Sequence, residues 1–398
     1  MGEVTAMKKT IGLITANYTV EGIDEQMQER ALAAMPFGGR YRLIDFPLSN
    51  MKNSGISSVG IIMPFNNRSL IDHVGTGKAW GFGRKTNSLF MLPGSVYGKR
   101  NNTDRFLLRD IIMNFRFIDY DNADYVVLSA VNTVCNMDLR PMIAQHEKSG
   151  CDMTAAYAKR KCNSAAPAKG AAGVSAAGAS GAGASGGAGA AGAGAGAGTA
   201  GAGAGVGGAA NVAGDEIPLD VLVINRAFLI DIASWFSNLD FMGIRRIITE
   251  HLGDANIGRY EFDGEVIVIN TMADYLAGNL ALLNAQTHQA IFHPDRQVYT
   301  NVQDRAPTFY TPSAKVKNSI VAAGCIIEGE VENSVIFRSS NVHKGAVVKN
   351  SVLMQHCNVG SGAYLNNFIC DKRVHVMENA HVEGTPDAPF FAQKGQII

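Results

Sequence analysis

The sequence predicts an α/β fold with a mostly parallel sheet, followed by a left-handed parallel β-helix. Up to about residue 289, short apolar runs alternate with helical stretches, which is the pattern of a parallel sheet covered by helices. From about Asn318 onward, an aliphatic residue recurs roughly every six positions, as expected where each flat side of a β-helix contributes one inward residue. A chain of 398 residues is long enough for each part to have its own core.

The first half of the chain supplies strands and helices in alternation. Its apolar runs are short and continuous, which is typical of strands that are buried on both faces. Ligands of such a sheet bind at the carboxyl ends of the strands, so the residues that follow each run are candidates for a site. The predicted strands are Ile11–Ala16, Ser57–Met63 and Tyr125–Ala130, and the predicted helices are Phe106–Phe115 and Arg140–Lys148.

A block made almost only of Gly, Ala, Ser, Thr and Val occupies 170–214 and interrupts this pattern. A silk-like linker is one interpretation, because GAGAGA stretches bury too little surface to fold alone. The block separates two predicted strands of one sheet, and this placement favours a second interpretation, that its true side chains differ from the printed letters. The predicted elements around it are the strands Cys151–Tyr157, Leu219–Asn225 and Glu265–Asn270, with helices near 244–252 and 273–285.

The changes in pattern divide the chain into three parts. We expect an α/β domain over 1–289, a proline-containing linker over 290–317 and the β-helix over 318–398. Two sets of aliphatic residues with a spacing of six mark the β-helix, namely Ile336, Val342, Val348 and Met354, and the offset set Leu353, Val359 and Leu365.

Composition and charge narrow the range of partners and locations. The 35 basic and 35 acidic residues balance, so the charge gives no sign of a nucleic acid or a membrane surface as a partner. No apolar run approaches the roughly 18 residues of a membrane helix, and no signal peptide opens the chain. The six cysteines form no CxxC pair and are expected to be reduced thiols. These features predict a cytoplasmic protein.

The longest specific motif is Met35–Asn50, MPFGGRYRLIDFPLSN. Together with 54–62 (SGISSVGII), 124–139, 270–283 (NTMADYLAGNLALL) and the β-helix repeat, it resembles the bacterial ADP-glucose pyrophosphorylase (glucose-1-phosphate adenylyltransferase) family. The similarity covers nearly the whole chain except the Gly/Ala block. It is greatest to the non-catalytic glycogen-biosynthesis subunit that accompanies the catalytic subunit in low-GC bacteria. The resemblance implies a Rossmann-like nucleotidyltransferase domain followed by a left-handed β-helix.

In active members of this family, a glycine-rich loop after the first strand surrounds a nucleoside triphosphate, and an Arg and a Lys offset its charge. Counted back from the motif without a gap, Asn17, Tyr18 and Val20 stand where that loop has glycines. Gly22 stands at the position of the arginine and Leu32 at the position of the lysine. The resemblance therefore implies a degenerate phosphate loop.

Active members also bind Mg²⁺ through two carboxylates that join the triphosphate to the sugar phosphate. The match of Ala130–Asp138 to the first ligand motif places the first aspartate at Asn132, and the match of Val266–Thr271 to the second places the other at Val268. An amide brings no negative charge and valine has no ligand atom. The prediction is that no catalytic residue is intact and that the chain uses no metal cofactor.

Three charged residues remain candidates for binding a ligand or effector. Arg40 and Arg42 lie in the best-matched motif, and the resemblance implies that cations near this position bind anionic sugar-phosphate or carboxylate activators; a structural role on the sheet surface is the alternative for both. Asp104 is the residue retained from a segment that approaches the nucleotide in the family. Asp45 is expected to anchor local backbone or to pair with a neighbouring arginine, rather than to act in chemistry.

The resulting hypothesis is a catalytically degenerate regulatory subunit of glucose-1-phosphate adenylyltransferase in glycogen biosynthesis. The resemblance implies a catalytic subunit as partner, assembly into a homo- or hetero-tetramer, and a sugar-phosphate effector. One alternative is an active adenylyltransferase with divergent site residues. Another is a β-helix acyltransferase, for which four histidines offer candidates, although we expect them to be surface residues: His343, His356, His375 and His381.

Overall fold

The computed structural model describes residues 8–20, 22–23, 27, 30–83, 87–95, 104–120, 122–159, 216–253 and 255–398. The predicted Gly/Ala block at 170–214 lies outside these ranges. In the α/β part, the strands are β1 (Thr10–Thr15), β2 (Pro36–Phe37), β3 (Tyr41–Arg42), β4 (Ser58–Met63), β5 (Ser88–Pro93), β6 (Tyr125–Ser129), β7 (Thr133–Cys135), β8 (Met153–Lys159), β9 (Glu216–Asn225), β10 (Ile257–Glu261) and β11 (Val266–Val268). The helices are α1 (Asp45–Asn53), α2 (Arg68–Val74), α3 (Leu108–Met113), α4 (Phe115–Tyr120), α5 (Arg140–Ser149), α6 (Arg226–Trp235), α7 (Ile244–His251), α8 (Met272–Ala281) and α9 (Ala285–Ile291).

Seven of the described strands form one sheet in the order β10-β8-β9-β6-β1-β4-β5. Neighbouring strands are parallel except where β9 pairs antiparallel with β6 and β8, so the prediction of a mostly parallel sheet is confirmed. β1, an interior strand of this sheet, is buried along its whole length. α1 lies close against it, because a Cβ added at Gly12 would lie 2.4 Å from the sulfur of Met51.

The β-helix consists of three parallel sheets of five short strands, one on each side of the coil. Its strands are β12 (Phe309–Tyr310), β13 (Lys315–Lys317), β14 (Ile320–Val321), β15 (Ile326–Ile327), β16 (Glu330–Glu332), β17 (Val335–Ile336), β18 (Asn341–Val342), β19 (Val347–Lys349), β20 (Val352–Leu353), β21 (Asn358–Val359), β22 (Tyr364–Asn366), β23 (Phe368–Cys370), β24 (His375–Val376), β25 (His381–Glu383) and β26 (Phe390–Ala392).

The coil begins earlier than the sequence pattern indicated. β12 and β13 already pair with strands of the next turn, although both lie within the segment 290–317 that was assigned to the linker. The first turn presents Phe309, Tyr310 and Lys315–Lys317 outward or at its open end, where they are exposed. The linker assignment therefore missed a turn that lacks the regular aliphatic spacing.

The interior of the coil explains the two aliphatic sets. Val342, Val348, Leu353 and Val359 are buried in one cluster inside the coil. Met354 differs, since it belongs to the core cluster that includes the α/β part. The spacing of six thus fails once in each turn, where the interval between inward residues is five, as between Val348 and Leu353.

The third side of the β-helix packs against the α/β part. Val335, Val352 and Ile369 occupy register positions on successive strands of the sheet β14-β17-β20-β23-β26, and all three belong to the same core cluster as the central sheet. Arg30, which is 4% exposed, reaches across this boundary to Asp371, with Nη2 2.7 Å from Oδ1. The two parts therefore share one core and a buried ion pair.

Candidate functional site

The order of the sheet indicates where a ligand site belongs. From β1, the chain continues outward through β4 and β5 on one side, whereas β6 lies on the other side. Open α/β sheets bind ligands at such a switch point, outside the carboxyl ends of the strands. The segments that follow β1 and β6 are therefore the ones to compare with the predicted site residues.

Asn17 is buried just beyond β1. Its Nδ2 donates to Asp110 Oδ2 at 2.9 Å and to the carbonyl oxygen of Ser95 at 3.1 Å. The other carboxylate oxygen of Asp110 accepts from the Ser95 N–H at 2.7 Å, and burial raises the pKa of Asp110. The side chain at this predicted degenerate position thus ties the loop after β1 to α3.

Tyr18 lies across the ends of β1 and β6. Its hydroxyl oxygen accepts from the N–H groups of Val131 and Asn132, at 3.0 and 3.1 Å, and the hydroxyl donates to Asn132 Oδ1 at 3.1 Å. Burial raises the pKa of Tyr18 to about 12. The guanidinium carbon of Arg105 lies 4.6 Å from the centre of the tyrosine ring, close enough for a cation–π interaction.

The structure brings Asn132 and Val268 to the same place. Val268 in β11 is paired with Thr133 in β7, and the N–H of Ile269 donates to the Asn132 carbonyl oxygen at 2.8 Å. Asn132 is 1% exposed, and its Nδ2 donates to Asn270 Oδ1 at 3.1 Å. Because the amide of Asn132 is engaged at both ends and neither position carries a carboxylate, these residues do not fit a divalent cation.

The other two predicted degenerate positions have different surroundings. Gly22 lies in an exposed turn with φ of 80°, a conformation that suits glycine. Leu32 begins a single turn of 3₁₀ helix, Leu32–Ala34, and is buried in the core. Neither residue supplies a charge that could offset a polyphosphate.

Asp104 caps a helix. Its Oδ2 accepts from the N–H of Gly243 at 2.8 Å, and Gly243 is the residue that precedes α7. Its neighbour Arg105 contacts the ring of Tyr18 and lies 3.5 Å from Asp220. Ligand binding by Asp104 remains a prediction; the hydrogen bond described at its Oδ2 is with the backbone.

Asp45 anchors local backbone, as predicted. Its Oδ2 accepts from the N–H of Arg42 at 2.9 Å, and its Oδ1 lies 2.6 Å from Nε2 of His73. These contacts fix the start of α1 directly after the segment that contains Arg40 and Arg42. Arg42 is thereby held in position, and its Nη1 donates to the hydroxyl of Ser69 in α2 at 3.0 Å.

A strongly basic pocket of about 580 Å³ lies between α2, the segment that follows α9 and the β-helix. Only one carboxylate, Asp72, lies among its described lining residues, against six Arg and Lys side chains. The lining consists of Arg42, Arg68, Ser69, Asp72, Gln303, Arg338, Gln355, His356, Lys372, Arg373 and Lys394.

Sequence reasoning identified only Arg42 and, in another role, His356 among these residues. Of the others, Arg338, Gln355 and Lys372 recur at intervals of 17 residues, at one corner of successive turns of the β-helix. Backbone bonds between turns stack this corner, including the bond from the His356 N–H to the Arg338 carbonyl oxygen. A search for basic residues at a spacing of 17, rather than six, could have found the cluster.

The electrostatics of the pocket favour an anion. Burial, with the positive charges of Arg30 and Arg42, lowers the pKa of Lys372 to about 7, and burial lowers the pKa of Arg42 to about 10. Burial, followed by the charge of exposed Arg40, lowers the pKa of Arg338. An anion placed among these cations would offset the repulsion between their positive charges.

Two polar atoms in the pocket lining have no hydrogen-bond partner among the described residues. They are Nε of Arg338, a donor, and Oε1 of Gln355, an acceptor, and both are buried. Buried polar atoms are nearly always satisfied in proteins. A ligand with acceptor oxygens and a hydroxyl group would satisfy both.

The histidines of the β-helix do not form a common site. His343 lies between Glu328 Oε2 and Asn358 Oδ1, at 3.1 and 3.0 Å. His375 and His381 are exposed, and His381 stacks on Tyr364. His356 is the one that lines the basic pocket.

Over the described ranges, the structure contains no helix with the length and apolar character needed to cross a bilayer.

Comparison with known proteins agrees with the architecture. Residues 28–167 match the family described as Nucleotidyl transferase, and residues 309–390 match the family described as GlmU-like, C-terminal hexapeptide. The chain is 31% identical to the glycogen biosynthesis protein GlgD of Bacillus subtilis (strain 168), over 97% of this chain and 96% of that protein. It is 32% identical to GlgD of Geobacillus stearothermophilus, over 98% and 97% of the two chains.

More distant similarity extends to enzymes. The chain is 24% identical to the glucose-1-phosphate adenylyltransferase of Clostridium perfringens (strain 13 / Type A), over 87% of this chain and 84% of the enzyme. The match to GlgD proteins spans both architectural parts at higher identity. The chain therefore belongs to the GlgD family of glycogen biosynthesis proteins, which is related to the glucose-1-phosphate adenylyltransferases.

Proposed function

We propose that this chain is a catalytically degenerate regulatory subunit that modulates a glucose-1-phosphate adenylyltransferase, the enzyme that makes ADP-glucose from ATP and glucose 1-phosphate. The observation that carries the proposal is the basic pocket between α2 and the β-helix. The pocket supplies a binding site for an anionic effector at a distance from the switch point of the sheet. Such a second site would let an effector change the activity of a partner without turnover in this chain.

The residues at the switch point support the absence of turnover. Phosphoryl and nucleotidyl transfer depend on cations and metal-bound carboxylates that stabilise charge, and loss of a single charge-stabilising group costs about a thousandfold or more in rate. At this point of the chain, Asn132 and Val268 supply no carboxylate, and Asn17 and Tyr18 occupy the loop with side chains that contact the protein itself. We expect the isolated chain to be inactive.

The chemistry of the basic pocket supports a sugar phosphate as effector. Phosphate oxygens suit the guanidinium groups of Arg42 and Arg338, which donate several hydrogen bonds in a fixed plane. A sugar hydroxyl suits the buried acceptor Oε1 of Gln355, which has no partner in the described structure. A volume of about 580 Å³ is sufficient for a small phosphorylated sugar.

The β-helix supports assembly with a catalytic subunit into a tetramer. One of its three sides is covered by the α/β part, whereas the sheets that contain β12 and β13 end in exposed first strands. Such flat sides and open ends favour packing against a neighbouring subunit. An effector that binds between the two parts of this chain could thus influence its neighbour through the β-helix.

Two assays test the proposal. ADP-glucose formation from ATP, Mg²⁺ and glucose 1-phosphate is measured with this chain alone, with a catalytic glucose-1-phosphate adenylyltransferase alone, and with both. We expect no turnover by the chain alone and a shift of about 5- to 150-fold in the apparent activator or substrate affinity of the mixture. Turnover by the chain alone would instead favour an active adenylyltransferase with divergent residues, and acetyl transfer in the same preparation would favour the β-helix acyltransferase.

The contribution of the pocket is tested with Arg42→Ala in an activator titration of the mixed enzyme. Arg42 lines the pocket, so its loss should reduce the effect of this chain on the catalytic subunit. Arg246→Ala on the exposed face of α7, where Arg246 forms an i,i+4 bridge with Glu250, is the matched control. If the Arg42→Ala and wild-type curves coincide at equal assembly, measured by size-exclusion chromatography, the effector binds elsewhere.

A further inference from the structure

The side chain of Tyr18 occupies the place where an open α/β sheet binds a ligand. Tyr18 follows β1 by three residues, and Val131 and Asn132 follow β6 just as closely. β1 and β6 are neighbours on the two sides of the switch point. The crevice outside the carboxyl ends of these strands is the expected ligand site of this architecture.

The contacts of the hydroxyl group resemble those of a bound ligand oxygen. Two consecutive backbone N–H groups, of Val131 and Asn132, converge on it at 3.0 and 3.1 Å. Consecutive N–H groups of this kind form a typical site for an oxygen or an anion. The ring is covered on one face by the guanidinium group of Arg105, at 4.6 Å.

Contacts that do not involve Tyr18 hold the residues around it in position. Asn132 Nδ2 and Arg105 Nη2 both donate to Oδ1 of Asn270, at 3.1 and 3.2 Å. Arg105 also lies 3.5 Å from Asp220 Oδ2. Because these side chains bond to one another, removal of the tyrosine side chain should leave the shape of the crevice largely unchanged.

We propose that Tyr18 is a built-in ligand of this crevice. The tyrosine side chain closes the crevice to small molecules in the native chain, and its removal leaves a preformed site for a flat aromatic molecule that carries one hydroxyl group. The ligand class follows from the walls: two N–H groups and the Asn132 amide for the hydroxyl, and a guanidinium face for the ring.

The test uses the full-length Tyr18→Ala variant and p-cresol, which is the tyrosine side chain as a free molecule. Thermal unfolding is followed with p-cresol or with toluene, which lacks the hydroxyl group. We expect p-cresol to raise the melting temperature of the variant saturably and to bind at least about tenfold more tightly than toluene, because toluene leaves the two N–H groups unsatisfied. The wild-type protein should respond to neither compound.

Amide NMR spectra locate the binding site. p-Cresol should shift the N–H signals of Val131 and Asn132 in Tyr18→Ala and leave them unchanged in Tyr18→Phe, which keeps the ring and fills the crevice. Tyr275→Ala, which truncates another buried tyrosine, in α8, is the control for an ordinary core residue and should lose more stability than Tyr18→Ala.

Three results would overturn the proposal. They are failure of Tyr18→Ala to fold under conditions where Tyr18→Phe folds, equal binding of toluene and p-cresol, and a loss of stability as large as that of Tyr275→Ala. None of these measurements involves a catalytic subunit or an effector, so the outcome is independent of the regulatory proposal.

Discussion

Lys372 shows how a single residue can make stability depend on pH. Its pKa is about 7 in the folded protein, below the ordinary value of 10.5, because it is buried among other cations. Between about pH 7 and pH 10.5 the folded protein therefore binds fewer protons than the unfolded chain. The free energy of unfolding should rise with pH across this window, and the penalty of charging Lys372 is fully present below pH 7.

The first prediction compares wild type with Lys372→Met. The variant should lose part of the rise in unfolding free energy between pH 7 and pH 9, measured by urea denaturation, since it has no amine to deprotonate. Sulfate, whose charge is constant in this range, should stabilise wild type more at pH 6.5 than at pH 9. Lys344→Met, at an exposed position of the β-helix, is the control, and the same loss in that variant would contradict the assignment to Lys372.

A second prediction concerns Asn132→Asp. The change restores the carboxylate that the family uses, but it removes the amide donor to Asn270 and buries a charge at a position that is 1% exposed. We expect a loss of about 1–3 kcal/mol in unfolding free energy and no ADP-glucose formation, because Val268 and the loop after β1 are unchanged. Substantial turnover in the standard assay would show that the loop and Val268 matter less than proposed.

How far sequence predicts individual site residues depends on where their neighbours come from. Asn132 and Val268 could be identified from local motifs, and the structure places them together through the pairing of β7 with β11. Lys372 and Arg338 were missed, because the corner that unites them recurs with the length of a whole turn of the coil, which the repeat of six conceals. The hydrogen bonds of Tyr18 were likewise hidden, since they join segments more than a hundred residues apart.

At the scale of elements, the corner at Asp371 connects the segment before the first motif to the β-helix. The Arg30 guanidinium group is bonded to Asp371 and also lies 3.5 Å from the sulfur of Met354. Two thiols, of Cys357 and Cys370, donate to the carbonyl oxygen of Asp371, at 2.9 and 3.3 Å. The corner that carries Lys372 into the basic pocket is therefore fixed from both sides.

The third prediction tests this buried ion pair. Asp371→Asn or Arg30→Met alone should cost about 3–5 kcal/mol of unfolding free energy, because each leaves an uncompensated buried charge or donor. The double variant should cost much less than the sum of the two. By contrast, Arg246→Ala in the exposed pair of α7 should cost no more than about 0.5 kcal/mol. Urea unfolding measures the loss in each of these four variants relative to wild type. Additive losses in the double variant would show that Arg30 and Asp371 do not interact.

At the scale of the whole molecule, two architectures behave as one core. Val335, Val352 and Ile369 from the β-helix lie in the cluster of the central sheet. Sequence patterns predicted both architectures, because each depends on its own periodicity. They could not predict the shared core. It depends on outward-facing residues on one side of the coil, and in the sequence these residues look like an ordinary break in the repeat.

The fourth prediction is a single cooperative unfolding transition. Both tryptophans, Trp80 and Trp235, lie in the α/β part, so fluorescence reports that part, whereas far-UV circular dichroism reports strands of both. The two probes should give the same midpoint in urea. Removal of 309–398 should leave an α/β part that unfolds at lower urea, and two separate transitions in the intact chain would contradict a common core.

The pairing of Arg30 with the last turns of the coil also has a consequence for how the protein is made. Arg30 emerges from the ribosome early, yet Met354 lies 324 residues further along the chain, and Asp371 is translated later still. Until then, the cation and the apolar surface near it have no native partner. The N-terminal part therefore cannot complete its native packing during synthesis, and the nascent chain depends on translation of its C-terminus to finish folding.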